Sequence, residues 1–383
     1  MKSEDSIVFG QPDIKEPEIQ EVLDCLRSKW IGTGPRVAEF QDKFSSYIGI
    51  NHAAAVNSCT AALHLSLLSI DLSPGDEVIT TPLTFCATVN AIIHAGAKPV
   101  LADIDPETMN IDPELIEARI SPRTKAILPV HFAGRPCNMD RIMDIANEYD
   151  LAVIEDAAHS IEATYKGQHT GTFGDFGCFS FYVTKNVVTG EGGMVVSSSE
   201  EKIARIKQLA LHGLSKDAWK RFSDEGFKHY QVVECGYKYN MLDIQAALGL
   251  HQLDRIEHNW KRRRDIWDTY QEAFSDLPIG IPAPSKKNIR HAYHLYTINV
   301  GVDESGISRD SFLKAMQKMG IGVGVHYLSL PEHPYYQKKL GWKPEDYPVS
   351  KRIGRSTVSL PLSPGLSDDD VSRVISTVIK VLK

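Results

Sequence analysis

The spacing of apolar positions divides the chain into two textures. Up to about residue 250, short apolar runs alternate with segments whose apolar residues recur every three or four positions. The runs at 53–56, 77–80, 98–102, 126–130 and 151–154 predict strands, and 177–182 with 194–197 predict two more. Helical spacing covers 17–29, 37–48, 60–69, 86–95, 113–120 and 139–149, with Leu63, Leu67 and Leu68 on one face of the third. Strands that are apolar on both faces and separated by helices imply a mostly parallel sheet covered on both sides. Ligands of such sheets bind beyond the carboxyl ends of the strands. Polar residues at strand ends are therefore the first candidates for chemistry.

Beyond about residue 250 the pattern predicts a long helix over 248–274, broken by Leu277 and Pro278, then a loop around 282–288. A strand at 293–300, a helix at 308–318, a strand at 322–327 and a last helix at 367–382 follow. Ser367 suits an N-cap, and Asp368, Asp369 and Asp370 place acids in the first turn. The expected fold class is α/β: a large, mostly parallel sheet domain over 1–250 and a small α+β C-terminal domain over 251–383.

Composition narrows the setting. The 383 residues are 42% hydrophobic and 24% charged, which is ordinary for a globular protein. No apolar run approaches the roughly 18 residues that span a bilayer. The N-terminal MKSEDSIVFGQPD lacks the basic and apolar regions of a signal peptide. A formal charge of −7 is a poor match to nucleic-acid binding, and the basic run at 261–264, followed by Asp265, reads as a solvated helix face. The six cysteines (25, 59, 86, 137, 178 and 235) show no C-x-x-C or zinc-type spacing. They read as reduced thiols of a cytoplasmic protein. The H-x-x-H formed by His291 and His294 has no acidic or Cys partner nearby, so no metal is expected.

Nucleotide fingerprints are missing. No G-x-G-x-x-G follows a strand, and there is neither a phosphate-binding G-x-x-x-x-G-K-[ST] nor a G-x-S-x-G. Strand ends instead carry a distributed set. Asp156 closes one strand. Lys185 follows another, with Ser180 before it and Gly192-Gly193 after it. Ser58, Cys59 and Thr60 open a helix directly after a third. These types suit pyridoxal phosphate: a Lys for the Schiff base, an Asp for the pyridine nitrogen, and a helix N-terminus with hydroxyls for the phosphate. Each also has a plainer reading. A strand-end Asp often caps a helix, a loop Lys is usually just exposed, and Ser58 with Thr60 serve equally as an ordinary cap.

The ordered motifs EDAAH at 155–159, YKG at 165–167, GD at 174–175, FSF at 179–181, KN at 185–186 and GEGG at 190–193 resemble the DegT-type sugar aminotransferases, fold-type I pyridoxal-phosphate enzymes. The likeness extends through WIGTGP at 30–35, PVHFAG at 129–134, HGL at 212–214, GYKYNM at 236–241 and GVHY at 324–327. Within the family, HGL with Asp217-Ala218-Trp219 and the YKYN form at 237–240 are most similar to the branch that makes UDP-4-amino-4-deoxy-L-arabinose. The resemblance implies Lys185 as the Schiff-base lysine, Asp156 on the pyridine nitrogen and His159 on the phenolic oxygen. It implies Phe85 as a ring-stacking residue, whose plainer alternative is a core phenylalanine, and Thr60, the Ala61 amide and Ser180 around the phosphate. Lys238 and Asn240 would reach the neighbouring subunit of a homodimer, and His326 and Tyr327 would lie near the sugar nucleotide. Cys59 stands where many relatives have Gly. The implied reaction moves the amino group of glutamate onto a nucleotide-linked 4-keto sugar, with pyridoxamine phosphate as the intermediate cofactor form. Its rivals are a keto-sugar dehydratase, whose relatives replace the lysine by His, and a non-catalytic regulatory protein on the same fold.

Overall fold

The computed structural model describes residues 6–215 and 230–383; Asp217-Ala218-Trp219 lies outside them. Seven strands form the main sheet: β1 (His52–Val56), β2 (Glu77–Thr80), β3 (Lys98–Leu101), β4 (Thr124–Leu128), β5 (Ala152–Asp156), β8 (Phe176–Ser180) and β9 (Gly193–Ser197). Their order is β1-β9-β8-β5-β4-β2-β3. Only β9 runs against its neighbours, so the sheet is mostly parallel, as the apolar runs predict. Successive residues of one strand serve opposite faces. Ile154 joins the layer of Leu63, Leu65 and Leu67 from the helix Cys59–Leu68, whereas Val153 joins Ile142 and Ile145 from the helix Met139–Glu148. Fully burying such a side chain contributes roughly 1.5–3 kcal/mol, so sheet and helices are held by both faces at once. A second patch sets Phe40 and Phe44 edge-on to Phe179 and Phe181.

A short sheet missed by the pattern packs beside this one: β6 (Thr164–Tyr165) and β7 (Gln168–His169) form a hairpin whose edge pairs with β10 (Ile289–Arg290). Two-residue strands give too few alternations to stand out from a loop. The helix Glu200–Ala210 also lacked a prediction.

The predicted helix over 248–274 is two helices, Asp243–Asp254 and Ile256–Phe274, meeting at Arg255 (φ −114, ψ 13). Arg255 is pulled from the axis by the N-terminal segment: its guanidinium pairs with Glu18 and donates to the Asp13 carbonyl at 2.7 Å. A division at 250/251 falls inside the first of these helices. Strand β11 (Tyr296–Asn299) pairs antiparallel with β12 (Thr357–Leu360), which the pattern missed. The predicted strand at 322–327 is absent. That segment makes single bridges, Ile321 to Ile7 and Gly324 to Ser359, before His326 and Tyr327 turn inward. Ile266, Trp267, Tyr270 and Phe274 pack with Tyr296, Ile298, Val358, Val374 and Val378, and Ile7 from the N-terminal arm completes this core. The final helix, Asp368–Leu382, starts at Ser367, whose Oγ accepts from the Asp370 amide at 3.1 Å. Among the described residues no helix is long and apolar enough to cross a membrane.

Candidate active site

The carboxyl ends of β1, β5 and β8 open into one cavity of about 550 Å³. It is lined by Thr60, Phe85, Asp156, His159, Ser180, Lys185, His326 and Tyr327, eight of the residues singled out in the sequence. β1, β8 and β5 end on the same side of the sheet, which brings Thr60, Asp156, His159, Ser180 and Lys185 together; Phe85 follows β2, and the segment with His326 and Tyr327 reaches them from the C-terminal part of the chain.

Asp156 ends β5. Its Oδ2 accepts from Thr88 Oγ1 at 2.9 Å and its Oδ1 from the Ala158 amide at 3.2 Å. Burial pushes its carboxyl above the usual range, and these donors with nearby Lys185 oppose the shift. The strand end is held rigidly from behind. Glu155, fully buried, accepts from His131 Nε2 at 2.9 Å and from the amides of Gly171, Phe173 and Gly174 at 2.7–2.9 Å. Lys185 sits in the loop after β8, where burial lowers its amine to about 8, opposed by Cys59 and Asp156. Roughly a tenth of the free amine is therefore neutral at pH 7, and about half at pH 8.

His159 is buried, and its Nε2 lies 3.2 Å from Tyr327 Oη. Burial, Lys185 and His326 hold its imidazole well below the usual range, so it is neutral. The Tyr327 phenol, raised by burial, keeps its proton. A Tyr327 hydroxyl that donates to Nε2 places the His159 proton on Nδ1, and Nδ1 is buried with no partner among the described residues. His326 is neutral as well, lowered to about 4 by burial and Lys185, with Nδ1 2.7 Å from Ser359 Oγ. Phe85 is 56% exposed although it lines the cavity, so it is not a core phenylalanine. Its ring centroid is 6.0 Å from that of Tyr327.

Ser58 caps the helix Cys59–Leu68: its Oγ accepts from the Ala61 amide at 3.1 Å, so that amide is engaged and does not line the cavity. Thr60 is exposed there. Cys59 is buried, and its thiol, pushed up by burial and Asp156, stays protonated. Gly193 permits the turn, because a Cβ there would stand 2.5 Å from the Ser58 carbonyl carbon. Lys238 and Asn240 bond to each other, and Asn240 donates to Thr33 Oγ1 at 2.6 Å. Neither lines the cavity.

Sequence reasoning missed Thr88, Tyr182, Glu191 and His294, all in the wall. Thr88 lies three residues after Phe85 on the helix Cys86–His94. That spacing puts both on one face, the only available signal. Among the described residues no cluster of three or more metal-ligating side chains forms. His291 Nδ1 accepts from the Tyr293 amide at 2.7 Å, and His294 bonds to Asn186.

Residues 12–379 match the DegT/DnrJ/EryC1/StrS aminotransferase family. The chain belongs to that family. It is 48% identical to the spore coat polysaccharide biosynthesis protein SpsC of Bacillus subtilis over 98% of this chain and 97% of SpsC. Its fold superposes on Spr1654 of Streptococcus pneumoniae, a candidate sugar aminotransferase solved in pyridoxamine-phosphate and pyridoxal-phosphate forms; the former gives TM-score 0.91 and 37% identity over 98% of each chain. It also superposes on DesI, solved in the presence of its TDP-sugar product, with TM-score 0.88 and 30% identity over 100% of this chain and 94% of DesI. The family's structures are those of pyridoxal-phosphate sugar aminotransferases, and the cavity fits that cofactor. The His159 Nδ1 without a partner among the described residues, the uncovered ring of Phe85, a helix N-terminus and a lysine lowered to about 8 are of the types that the oxygen, ring, phosphate and aldehyde of that molecule require.

Proposed function

We propose that the chain transfers the amino group of glutamate to a 4-keto sugar linked to a nucleoside diphosphate, UDP in our reading, for amino-sugar, lipopolysaccharide or other surface-glycan biosynthesis. The observation that carries the proposal is the amine of Lys185, brought to about 8, sharing one cavity with the buried carboxylate of Asp156. The SpsC and DesI relationships support the polysaccharide setting and the nucleotide carrier.

Pyridoxal phosphate, when bound, supplies an electron sink for the carbanion left when an amino acid loses its α-proton. Lys185 anchors the cofactor and, once displaced, its neutral Nζ takes the α-proton of glutamate. In the second half-reaction Nζ delivers a proton to the sugar carbon that was the ketone. Asp156, held by Thr88 and the Ala158 amide, stays anionic opposite the ring nitrogen. His159 offers Nδ1–H to the phenolic oxygen. Thr60, Ser180 and the helix N-terminus receive the phosphate, with the Ala61 amide joining if Ser58 Oγ yields it. His326 and Tyr327 face the sugar nucleotide. Both are neutral, so they recognise it by hydrogen bonds rather than charge.

The same proposal includes a cytoplasmic homodimer whose protomers comprise a large cofactor domain, 1–250, and a small one, 251–383. Lys238 and Asn240 lie outside this chain's own cavity, as residues serving a partner's site would. Leu26, Trp30, Ile31 and Leu242 are 40–51% exposed, apolar surface suited to a second copy.

A panel of nucleotide keto-sugars supplied with glutamate and read by mass spectrometry tests the substrate. Lys185→Ala is expected to lose turnover while still binding pyridoxamine phosphate. Full transaminase activity in that variant would overturn the assignment.

A further inference from the structure

Two buried features stand outside this chemistry: the carboxyl of Glu162 and His294 of the H-x-x-H pair. Glu162, Asn186 and His294 are 0%, 6% and 5% exposed and form one hydrogen-bonded chain. Asn186 Nδ2 faces three acceptors: both Glu162 oxygens at 2.9 and 2.8 Å and the Ala292 carbonyl at 3.0 Å. Its Oδ1 is therefore the atom 2.9 Å from His294 Nδ1, and that oxygen only accepts. His294, kept neutral by burial, carries its proton on Nδ1. Its ring lies 4.5 Å from that of His159, centroid to centroid, at 36°. Asn186 is also the chain neighbour of Lys185.

We propose that Glu162 is a positioning residue: through Asn186 and His294 it holds the ring of His159 and the backbone at Lys185 in register with the cofactor. The inference rests on the pyridoxal-phosphate reading given above.

The Glu162 oxygens and the Ala292 carbonyl take the Asn186 NH2, which leaves its Oδ1 to accept from His294 and so sets the direction of the chain. A carboxamide in place of the Glu162 carboxyl keeps one oxygen facing Asn186 but sets an NH2 where the other Glu162 oxygen stands, 2.8–2.9 Å from Asn186 Nδ2. That second contact is donor against donor, so the Asn186 side chain must shift, and its bond to the His294 N–H with it. Among the described residues no direct ion pair explains an acid here. The side chain of Arg263 is buried close enough to act on Glu162, yet its Nη1 donates to the Leu362 carbonyl at 2.9 Å and its Nε has no partner. Burial raises the Glu162 carboxyl to about 7 against Arg263, Asn186 and Arg290. Burying an acid is costly, and the polarity of this hydrogen-bonded chain is what that cost secures.

The test compares wild type, Glu162→Gln, His294→Phe and Lys185→Ala as loaded holoenzymes. Three quantities are read: kcat and KM for both substrates, the pH titration of the visible cofactor band, and the melting temperature. Both Glu162→Gln and His294→Phe are expected to lower kcat roughly ten- to a hundredfold through misalignment. The KM for keto sugar should stay within about threefold, as when a transition-state contact is lost. The band's titration midpoint should move in both variants while the melting temperature holds. An unchanged band and a kcat within about twofold of wild type in both would overturn the proposal. So would losses that merely follow a lowered melting temperature. If wild type ignores glutamate and Lys185→Ala leaves the band unaltered, the functional reading itself fails, an outcome separate from a silent Glu162→Gln.

Discussion

Replacing Thr88 by Val removes one hydroxyl from beside Asp156 and keeps the β-branched shape. Thr88 Oγ1 has a single hydrogen, and it points to Asp156 Oδ2 at 2.9 Å. The bond between Thr84 and Thr88, also 2.9 Å, must then run from Thr84 to Thr88. The variant thus strips Asp156 of one of its two donors and leaves the buried Thr84 hydroxyl without an acceptor. A hydrogen bond to a charged group contributes about 1.5–3 kcal/mol. At 1.4 kcal/mol per decade, the anionic form of Asp156 becomes roughly ten- to a hundredfold less favourable. Burial already pushes that carboxyl up, so the loss adds to an existing strain on the charged form. Affinity for pyridoxal phosphate and kcat at saturating cofactor should fall by a similar factor, measured by absorbance titration and by glutamate-dependent turnover. The fold should lose about 1.5–3 kcal/mol, read from urea denaturation. Affinity and kcat both within about twofold of wild type, in a folded variant, would refute the role given to this hydroxyl.

Three further outcomes follow from the same geometry. The apoprotein should take up pyridoxal phosphate faster as pH climbs through about 8, because the neutral Lys185 amine is the nucleophile; stopped-flow rates flat from pH 6 to 9 would contradict this. His159, His291 and His294 are buried, His326 is half-buried, and all four are lowered, so the unfolded chain binds protons first as pH falls below about 6.5. Their contribution is fully present above that value and declines by about 2 kcal/mol per histidine at pH 5. Glu162 and Asp156, both raised, act in the opposite direction but are fewer. The urea midpoint of the apoprotein should therefore drop between pH 7 and 5, and a rising midpoint would show the sign is wrong. Gly193→Ala drives a Cβ into the Ser58 backbone at 2.5 Å, so the helix start must shift. Cofactor affinity should fall and stability drop by about 1–3 kcal/mol, which isothermal titration and thermal melting would register.

The chain's local pattern determined a good deal. Apolar runs located all seven strands of the main sheet, since residues buried on both faces leave no other reading. Ser367, in Ser-Asp-Asp-Asp, marked the start of the last helix, because capping is a contact between near neighbours. Asp156, Lys185 and Thr60 stood out as polar residues at the ends of apolar strands. Other features depended on partners distant in sequence. The helix break at Arg255 comes from Glu18 and Asp13, and the segment at 322–327 meets only isolated neighbours in Ile7 and Ser359. Thr88 and Glu162 read as ordinary helix and loop residues until folding placed them against Asp156 and Asn186. Proton positions are set the same way: the amine of Lys185 and the ring of His159 depart from their ordinary values because of what surrounds them. Sequence alone determined which groups could do the chemistry, since side-chain type and local periodicity are written along the chain. Only the tertiary structure decided their ionisation and alignment, because burial and hydrogen bonding are properties of neighbours brought together from afar.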